Sequence, residues 1–117
     1  MQQLSRHFKR SEFTCHCGCG FDVVDAELLH ILQMMRFYFN QPIKILSGAR
    51  CKMHNSLVGG KPNSLHMIGK AADIQIKNIP PARVASFLEW AYPSCYGIGR
   101  YPDFTHIDVR PSPARWG

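Results

Sequence analysis

The strongest constraint on the fold of this chain is the stretch from Ser64 to Asp73, SLHMIGKAAD. It places an imidazole, His66, seven positions before a carboxylate, Asp73. Seven residues rise about 10.5 Å along a helix, and an odd separation on a strand points two side chains to opposite faces. Neither structure would bring the pair to one metal ion, so the segment must turn. Gly69 is the residue best able to adopt the backbone angles of that turn.

Two segments alternate between apolar and polar residues, as half-buried strands do. The polar face carries Asp73 in residues 72–77 and His106 in residues 105–110. The opposite, apolar faces carry Ala72, Ile74, Ile76, Ile107 and Val109. If the two strands belong to one sheet, His66, Asp73 and His106 can meet on its polar side.

These three residues together suggest a metal site. Two imidazoles and one carboxylate, with a fourth position left to water, are the ligand set of a catalytic rather than a structural zinc site. Each residue alone is more often a solvated or hydrogen-bonded side chain than a ligand. The combination therefore carries the prediction of one zinc ion on the polar face of the sheet.

Composition predicts a single domain over residues 1–117, with 45% hydrophobic and 19% charged residues, as in ordinary globular proteins. There is no apolar run of about 18 residues and no signal-peptide pattern. We therefore expect synthesis in the cytoplasm and no membrane insertion. The net charge of +6 favours anionic partners such as nucleic acid, acidic lipid or a cell-wall polymer. The basic residues are scattered, so nucleic-acid binding is not expected.

The run CHCGCG contains Cys15, Cys17 and Cys19, three of the five cysteines. A structural metal is conceivable here, with Cys51 or His16 completing the set. Structural zinc sites usually use two separated Cys-x(2–4)-Cys pairs, which a Cys-x-Cys-x-Cys run lacks. We therefore expect reduced thiols in a tight loop.

The remaining pattern predicts an α+β domain with a small, mostly antiparallel sheet and flanking helices. Apolar residues at helical spacing predict a core helix over residues 25–39, capped at its start by Asp25. Met34 and Met35 are predicted to fill gaps in the core.

The rest of the chain divides into short elements. Phe8 and Phe13 are the apolar anchors of an opening helix or turn, and residues 43–46 form a short strand. Residues 51–63 predict a long, Gly-rich loop whose length suggests a binding role. A second helix is predicted over residues 80–91.

Four spaced blocks follow one another in the sequence. They are Ser47-Gly48-Ala49-Arg50, Asn55 with Gly59-Gly60, Ser64-x-His66-x-x-Gly69-x-Ala71-x-Asp73, and Asp103-x-x-His106-x-Asp108. Together they resemble the D-alanyl-D-alanine carboxypeptidase family of zinc peptidases. Within it they are most similar to the short bacterial and phage cell-wall peptidases, including the L-alanyl-D-glutamate endolysins. The likeness covers residues 47–116, and the opening FKRSEF stretch is also typical of the short members.

The resemblance implies a role for each matching residue. The zinc ligands would be His66, Asp73 and His106. Asp103 would be the general base that takes a proton from the attacking water, which zinc acidifies towards a pKa of about 7. Arg50 would bind the substrate or stabilise the developing oxyanion.

Further positions are less closely fixed by the resemblance. Ser64 resembles a substrate-contacting position. Asp108 either orients a ligand histidine or forms an ion pair with Arg110. Two departures from the family pattern flank the substrate-binding arginine: Ala49 stands where an aromatic residue is frequent, and Cys51 where a serine is. Both could alter which peptide is accepted.

The expected function is that of a zinc metallopeptidase acting on the stem peptide of peptidoglycan, with the L-Ala-D-Glu endopeptidase favoured. The alternatives are a D-Ala-D-Ala carboxypeptidase or dipeptidase, a non-catalytic zinc-containing wall-binding domain, and a small basic nucleic-acid binder. The presence of Asp103 favours catalysis. We expect a monomer that reaches the wall as a phage lysin or virion component.

Overall fold

The computed structural model describes residues 2–117 and contains a five-stranded sheet, a separate two-stranded hairpin and three α-helices. The hairpin pairs β1 (Gln3–Ser5) with β2 (Phe8–Lys9). The main sheet comprises β3 (Ile43–Ser47), β4 (Ala71–Ile76), β5 (Gly97–Arg100), β6 (Thr105–Asp108) and β7 (Ala114–Trp116). The α-helices are α1 (Ala26–Phe39), α2 (Lys52–Leu57) and α3 (Pro81–Ala91). Two short 3-10 helices span Arg10–Phe13 and Leu65–Ile68.

The strands of the main sheet lie in the order β3-β4-β6-β5-β7. Every neighbouring pair is antiparallel except β5 and β7, which run parallel. This arrangement confirms the predicted α+β class with a mostly antiparallel sheet. It also places β4 directly beside β6, so that the two strands predicted to carry the site share one ladder.

The core lies on one side of the sheet, where α1 and α3 bury their apolar faces. It joins Phe8 and Phe13 to apolar residues of the helices and strands, chiefly Leu28, Ile31, Leu32, Met35, Ile74, Ile76, Val84, Leu88, Ile98 and Ile107. At the start of α1 the Asp25 carboxylate accepts hydrogen bonds from the backbone N–H groups of Glu27 and Leu28, as the capping prediction requires. The longest α-helix has 14 residues, and none in residues 2–117 is long and apolar enough to cross a membrane.

Two details of the sequence prediction were wrong. Met34 is 47% exposed, whereas its neighbour Met35 is fully buried. One residue of helix rotates a side chain by about 100°, so only one of the two methionines can face the core. The segment predicted as a loop contains α2, which has no apolar stripe because Met53 and Leu57 are about three-quarters exposed. Its buried residue is instead the polar Asn55.

Candidate active site

The polar face of the sheet brings His66, Asp73 and His106 together. Asp73 on β4 lies directly opposite His106 on β6, and the Oδ1 atom of Asp73 is 2.9 Å from Nδ1 of His106. His66 comes from the 3-10 helix Leu65–Ile68, which Gly69 ends with a left-handed backbone (φ 71°). The chain then reverses into β4, and Nε2 of His66 reaches within 3.4 Å of the same Oδ1 atom. The turn expected at Gly69 is therefore present.

The second nitrogen of each imidazole is held by a hydrogen-bond acceptor. Nδ1 of His66 lies 2.8 Å from the carbonyl oxygen of Gly48, and Nε2 of His106 lies 2.8 Å from Oδ2 of Asp108. A carbonyl and an ionised carboxylate can only accept, so both nitrogens donate. Nε2 of His66 and Nδ1 of His106 then face Asp73, as in metal sites where outer partners orient the ligating histidines.

The donor set fits zinc. One ligand atom from each of His66, Asp73 and His106 lies within 4.8 Å of the others. His66 and Asp73 are buried and His106 is mostly so. Two imidazole nitrogens and one carboxylate oxygen are the three protein ligands of a catalytic zinc site, which keeps its fourth position open.

Charges inside the site are strongly coupled. Burial alone would raise the pKa of Asp73, but hydrogen bonds from His106 and His66 outweigh it and hold that pKa well below its ordinary range. Burial lowers the pKa of His106, but hydrogen bonds to Asp108 and Asp73 outweigh it and raise that pKa. A metal cation would therefore compete with a proton for Nδ1 of His106.

Arg50 borders the site and is fixed on three sides. Its Nη2 atom lies 3.4 Å from Oδ2 of Asp73, its Nε donates to Ser47 (3.2 Å), and its Nη1 donates to Asn55 (3.2 Å). A guanidinium has five N–H donors, so two have no partner among residues 2–117. The side chain lines the cavity that contains the His-Asp-His cluster.

Asp108 is fully buried and serves both partners that the sequence suggested. Its carboxylate accepts from His106 and, through both oxygens, from the guanidinium of Arg110 at 2.8 Å. The backbone N–H of Gly97 on β5 adds a bond of 3.1 Å. A Cβ atom on Gly97 would lie 2.3 Å from Oδ2 of Asp108, so this position has no room for a side chain. Burial would raise the pKa of Asp108, but the bonds from His106 and Arg110 hold it well below its ordinary value.

Trp116 on β7 covers the outer side of His106, with ring centroids 5.1 Å apart. The indole lies against Gly99 of β5, where an added Cβ would approach its Nε1 atom to 2.5 Å. The guanidinium carbon of Arg110 sits 5.2 Å from the Trp116 ring centroid. A side chain at position 99 would therefore displace the ring from the site.

The cavity has a volume of about 880 Å³ and is lined by the His-Asp-His cluster and by the loop that follows α2. Three cationic residues, Arg50, Lys61 and Arg110, contribute to its wall. Aromatic surface comes from Trp116 and from Tyr101, whose ring stacks on that of Phe104 at 4.4 Å. Asp73 and Asp108 also line the cavity and pair with Arg50 and Arg110, so Lys61 leaves the wall with a net positive charge that suits an anionic ligand.

Of the two remaining predicted site residues, Ser64 lies at the cavity and Asp103 does not. Ser64 lines the cavity, and its hydroxyl accepts a hydrogen bond from the backbone N–H of His66 at 3.3 Å, so it caps the helix that carries this histidine. Asp103 is exposed and lines a separate cavity beside Lys44. Its carbonyl oxygen accepts from Gln75 at 2.8 Å, but its carboxylate has no polar partner within residues 2–117. The structure thus brings Arg50, Ser64 and Asp108 to the three candidate ligands and leaves Asp103 outside.

Sequence reasoning missed the partners that orient these side chains. The Gly48 carbonyl that holds His66 is a backbone group and has no residue-type signal. The hydroxyl of Ser47 and the amide oxygen of Asn55 fix Arg50, a role that the sequence pattern does not assign to them. Trp116 could have been found only from the pairing of β7 with β5, which no local periodicity encodes.

A buried cluster of two histidines and an aspartate on the polar face of such a sheet is typical of zinc-dependent hydrolases. The sequence model of the peptidase M15 family matches residues 6–108. The chain therefore belongs to this family, the zinc D-Ala-D-Ala carboxypeptidase family of peptidoglycan peptidases. No curated protein matches the chain. Membership supports a zinc metallopeptidase that acts on peptidoglycan and confirms the resemblance noted in the sequence.

Proposed function

We propose that residues 1–117 form one peptidase domain that cuts the L-Ala-D-Glu bond of the peptidoglycan stem peptide, with one zinc ion held by His66, Asp73 and His106. The observation that supports this most directly is the convergence of His66 Nε2 and His106 Nδ1 on Oδ1 of Asp73. Bound there, zinc would supply an acidified water at neutral pH and polarise the scissile carbonyl.

The protein's own groups complete the site. The two unpartnered N–H donors of Arg50 can bind the oxyanion that develops at the scissile carbonyl or a carboxylate of the substrate. Asp108 keeps the ring of His106 in one orientation by accepting from its Nε2 atom. Lys61 adds positive charge to the same wall, whereas the charge of Arg110 is paired with Asp108. A stem-peptide D-glutamate linked through its side chain keeps an α-carboxylate beside the scissile amide, and this charge matches that wall.

The choice of an endopeptidase rests on the resemblance to the short cell-wall peptidases, because a cationic wall would equally suit the terminal carboxylate of D-Ala-D-Ala. Digestion of purified peptidoglycan by the zinc-loaded protein separates the two. Mass spectrometry of the products should find new D-glutamyl amino termini. Free D-Ala as the only product would contradict the endopeptidase and establish the carboxypeptidase. His66→Ala is the matched inactive control.

The general base remains a separate prediction. Asp103 matches the family position three residues before His106, yet it lines a separate cavity and not the one that contains the His-Asp-His cluster, so the role requires the turn at residues 101–104 to rearrange when substrate binds. Asp103→Ala should abolish hydrolysis while the zinc content stays unchanged. Unchanged kcat in this variant would remove Asp103 from the mechanism.

The non-catalytic alternative predicts wall binding without cleavage. Sedimentation with purified walls measures the binding, and the digest measures the cleavage, so both can be scored on one sample. Binding with no new amino termini would favour the wall-binding domain.

We keep the role of a phage lysin or virion component as a prediction, tested by whether the protein added from outside clears cells with permeabilised outer layers. Size-exclusion chromatography tests the predicted monomer.

A further inference from the structure

A second group of metal-binding side chains lies where the N-terminal loop meets the start of α2. It consists of the thiols of Cys15, Cys17, Cys19 and Cys51, which we call the four-cysteine cluster. One Sγ atom from each lies within 4.8 Å of all the others. The Sγ–Sγ distances are 3.5 Å for Cys15–Cys17, 3.6 Å for Cys17–Cys51 and 3.8 Å for Cys15–Cys51.

These separations match a tetrahedral metal site and not disulfides. A zinc–sulfur bond of about 2.3 Å in tetrahedral geometry puts neighbouring sulfurs about 3.8 Å apart, whereas a disulfide needs about 2.05 Å. All five cysteines of the chain are free thiols. Thiols are only weak donors and acceptors toward one another, so hydrogen bonding alone gives little reason for four of them to gather.

The backbone around the cluster is arranged to support sulfur ligands. The loop closes through bonds from the Cys15 N–H to the Phe21 carbonyl (2.7 Å) and from the Gly18 N–H to the Cys15 carbonyl (3.3 Å). The N–H of Cys51 points at Sγ of Cys15, and the N–H of His54 points at Sγ of Cys51, each at 3.4 Å. Such N–H donors stabilise the thiolate form, which is the form that binds metals.

We propose that Cys15, Cys17, Cys19 and Cys51 bind a second zinc ion with a structural role. Four thiolates fill all four positions of the tetrahedron, which is the closed arrangement of structural zinc sites. The sequence argument against a metal was the missing second cysteine pair. The fold replaces that pair with a single ligand, Cys51, the residue that directly precedes α2.

This second ion would stabilise the backbone segment that supports part of the active site. Cys51 directly follows Arg50, and the N–H of Ala49 donates to the carbonyl of Phe13 at 2.8 Å, so the loop and the end of β3 are already joined. The same short segment contains Gly48, whose carbonyl oxygen holds His66. Fixing Cys51 to the N-terminal loop would therefore fix the backbone that presents both Arg50 and the acceptor for His66.

Metal content measured by elemental analysis tests the proposal. The protein purified without chelator should contain two zinc ions per chain. His66→Ala should lose one of them, and the double variant C17S/C19S should lose the other. Cys95→Ser is the matched control and should keep both, because Cys95 lies outside the cluster. One ion in the unmodified protein that persists in C17S/C19S would overturn the four-cysteine site and leave the His-Asp-His site standing.

A second measurement needs no variant and so does not depend on the folding of C17S/C19S. Cys17 and Cys19 are exposed, so iodoacetamide can reach both thiols once the metal is removed. In the zinc-loaded protein we expect at least a tenfold slower reaction at both, which chelator should relieve. Peptide mapping by mass spectrometry assigns the label to each cysteine. Fast labelling of Cys17 and Cys19 before chelation would overturn the proposal.

Discussion

The two groups of metal-binding residues are built in opposite ways. The His-Asp-His site takes nitrogen and oxygen donors from two paired strands and a turn and faces a cavity of about 880 Å³. The four-cysteine cluster takes sulfur donors from a loop and the start of a short helix. Three protein ligands leave a corner for a substrate or water, whereas four leave none. With zinc bound as proposed, the His-Asp-His site would hold the reactive ion and the four-cysteine cluster the stabilising one.

The comparison also concerns rigidity. Asp73 and His106 hold their spacing because their strands are hydrogen-bonded neighbours in the sheet. The cysteines of the loop have no such ladder, so the proposed zinc ion would be what fixes their spacing. We therefore expect loss of the His-Asp-His site, which we call the open site, to affect activity most. Loss of the four-cysteine cluster, the closed site, should affect stability most.

The largest effect is expected for His66→Ala. Loss of a ligand should remove the zinc of the open site, and with it several kcal/mol of transition-state stabilisation, so hydrolysis should fall by about 10³-fold or more. Peptidoglycan digestion and zinc content are the measurements. The circular dichroism spectrum should stay that of the unmodified protein. Activity within tenfold of normal would show that the metal is held elsewhere.

The next effect is the loss of stability in C17S/C19S. A structural zinc contributes folding free energy directly, and a loss of about 3 kcal/mol in a domain of this size lowers Tm by about 10 °C. Differential scanning calorimetry measures the shift, with Cys95→Ser as the control. An unchanged Tm would mean that the four-cysteine cluster does not contribute to the stability of the fold.

Asp108→Asn should weaken zinc binding at the open site by about 10- to 100-fold, the usual cost of losing a partner that orients a ligating histidine. Asparagine keeps the size of the side chain in its fully buried position. Competition with a zinc chelator gives the affinity, and Asp103→Asn is a control because Asp103 lies outside the ligand set. Affinity equal to that of the control would show that His106 needs no orienting partner.

Acid should weaken the open site in a defined direction. The pKa of His106 is raised in the metal-free protein, so below that pKa a proton occupies Nδ1 and zinc must displace it. Zinc affinity should then fall by about tenfold for each further pH unit. Calorimetry in buffers of different ionisation enthalpy counts the released proton. No pH dependence on the acid side of the ordinary histidine pKa of about 6.5 would contradict this, because the raised pKa of His106 keeps Nδ1 protonated throughout that range.

The same linkage makes a prediction for the metal-free protein. Because the folded pKa of His106 is raised, its contribution to the free energy of unfolding is fully present below about pH 6.5 and is lost as pH rises through the folded pKa. Asp73 and Asp108 have lowered pKa values, so their contributions are present above about pH 4 and are lost as pH falls. Urea titrations across this pH range measure the free energy of unfolding. In metal-free His106→Gln this free energy should therefore fall less with rising pH than in the unmodified protein.

The smallest effect is expected for Ser64→Ala. Loss of the cap on the helix that carries His66 should cost about 1 kcal/mol, and Ser64→Thr should restore most of it. Urea denaturation measures the stability of both variants. If Ser64 also contacts substrate, KM should rise in Ser64→Ala by more than the loss of folded protein explains. An unchanged KM would limit this residue to capping.

The sequence pattern predicted the features that depend on neighbouring residues, such as turns and the direction of side chains on a strand. The turn at Gly69 and the alternation around Asp73 and His106 follow from side-chain direction on a strand, and the structure brings these groups together. The pattern failed where tertiary contacts decide. Cys51 joins the loop cysteines only because β3 ends beside Phe13, and Asp103 sits on an exposed turn whose direction no residue pattern specifies.

The indole of Trp116 lies over His106 because Gly99 has no side chain. This contact places a natural fluorophore against a proposed ligand of the catalytic zinc ion. The second tryptophan, Trp90, is 75% exposed on α3 and would emit as a steady background. In Trp90→Phe, the tryptophan emission would therefore come from Trp116 alone. Its intensity should change as metal and peptide bind, so both could be followed in real time.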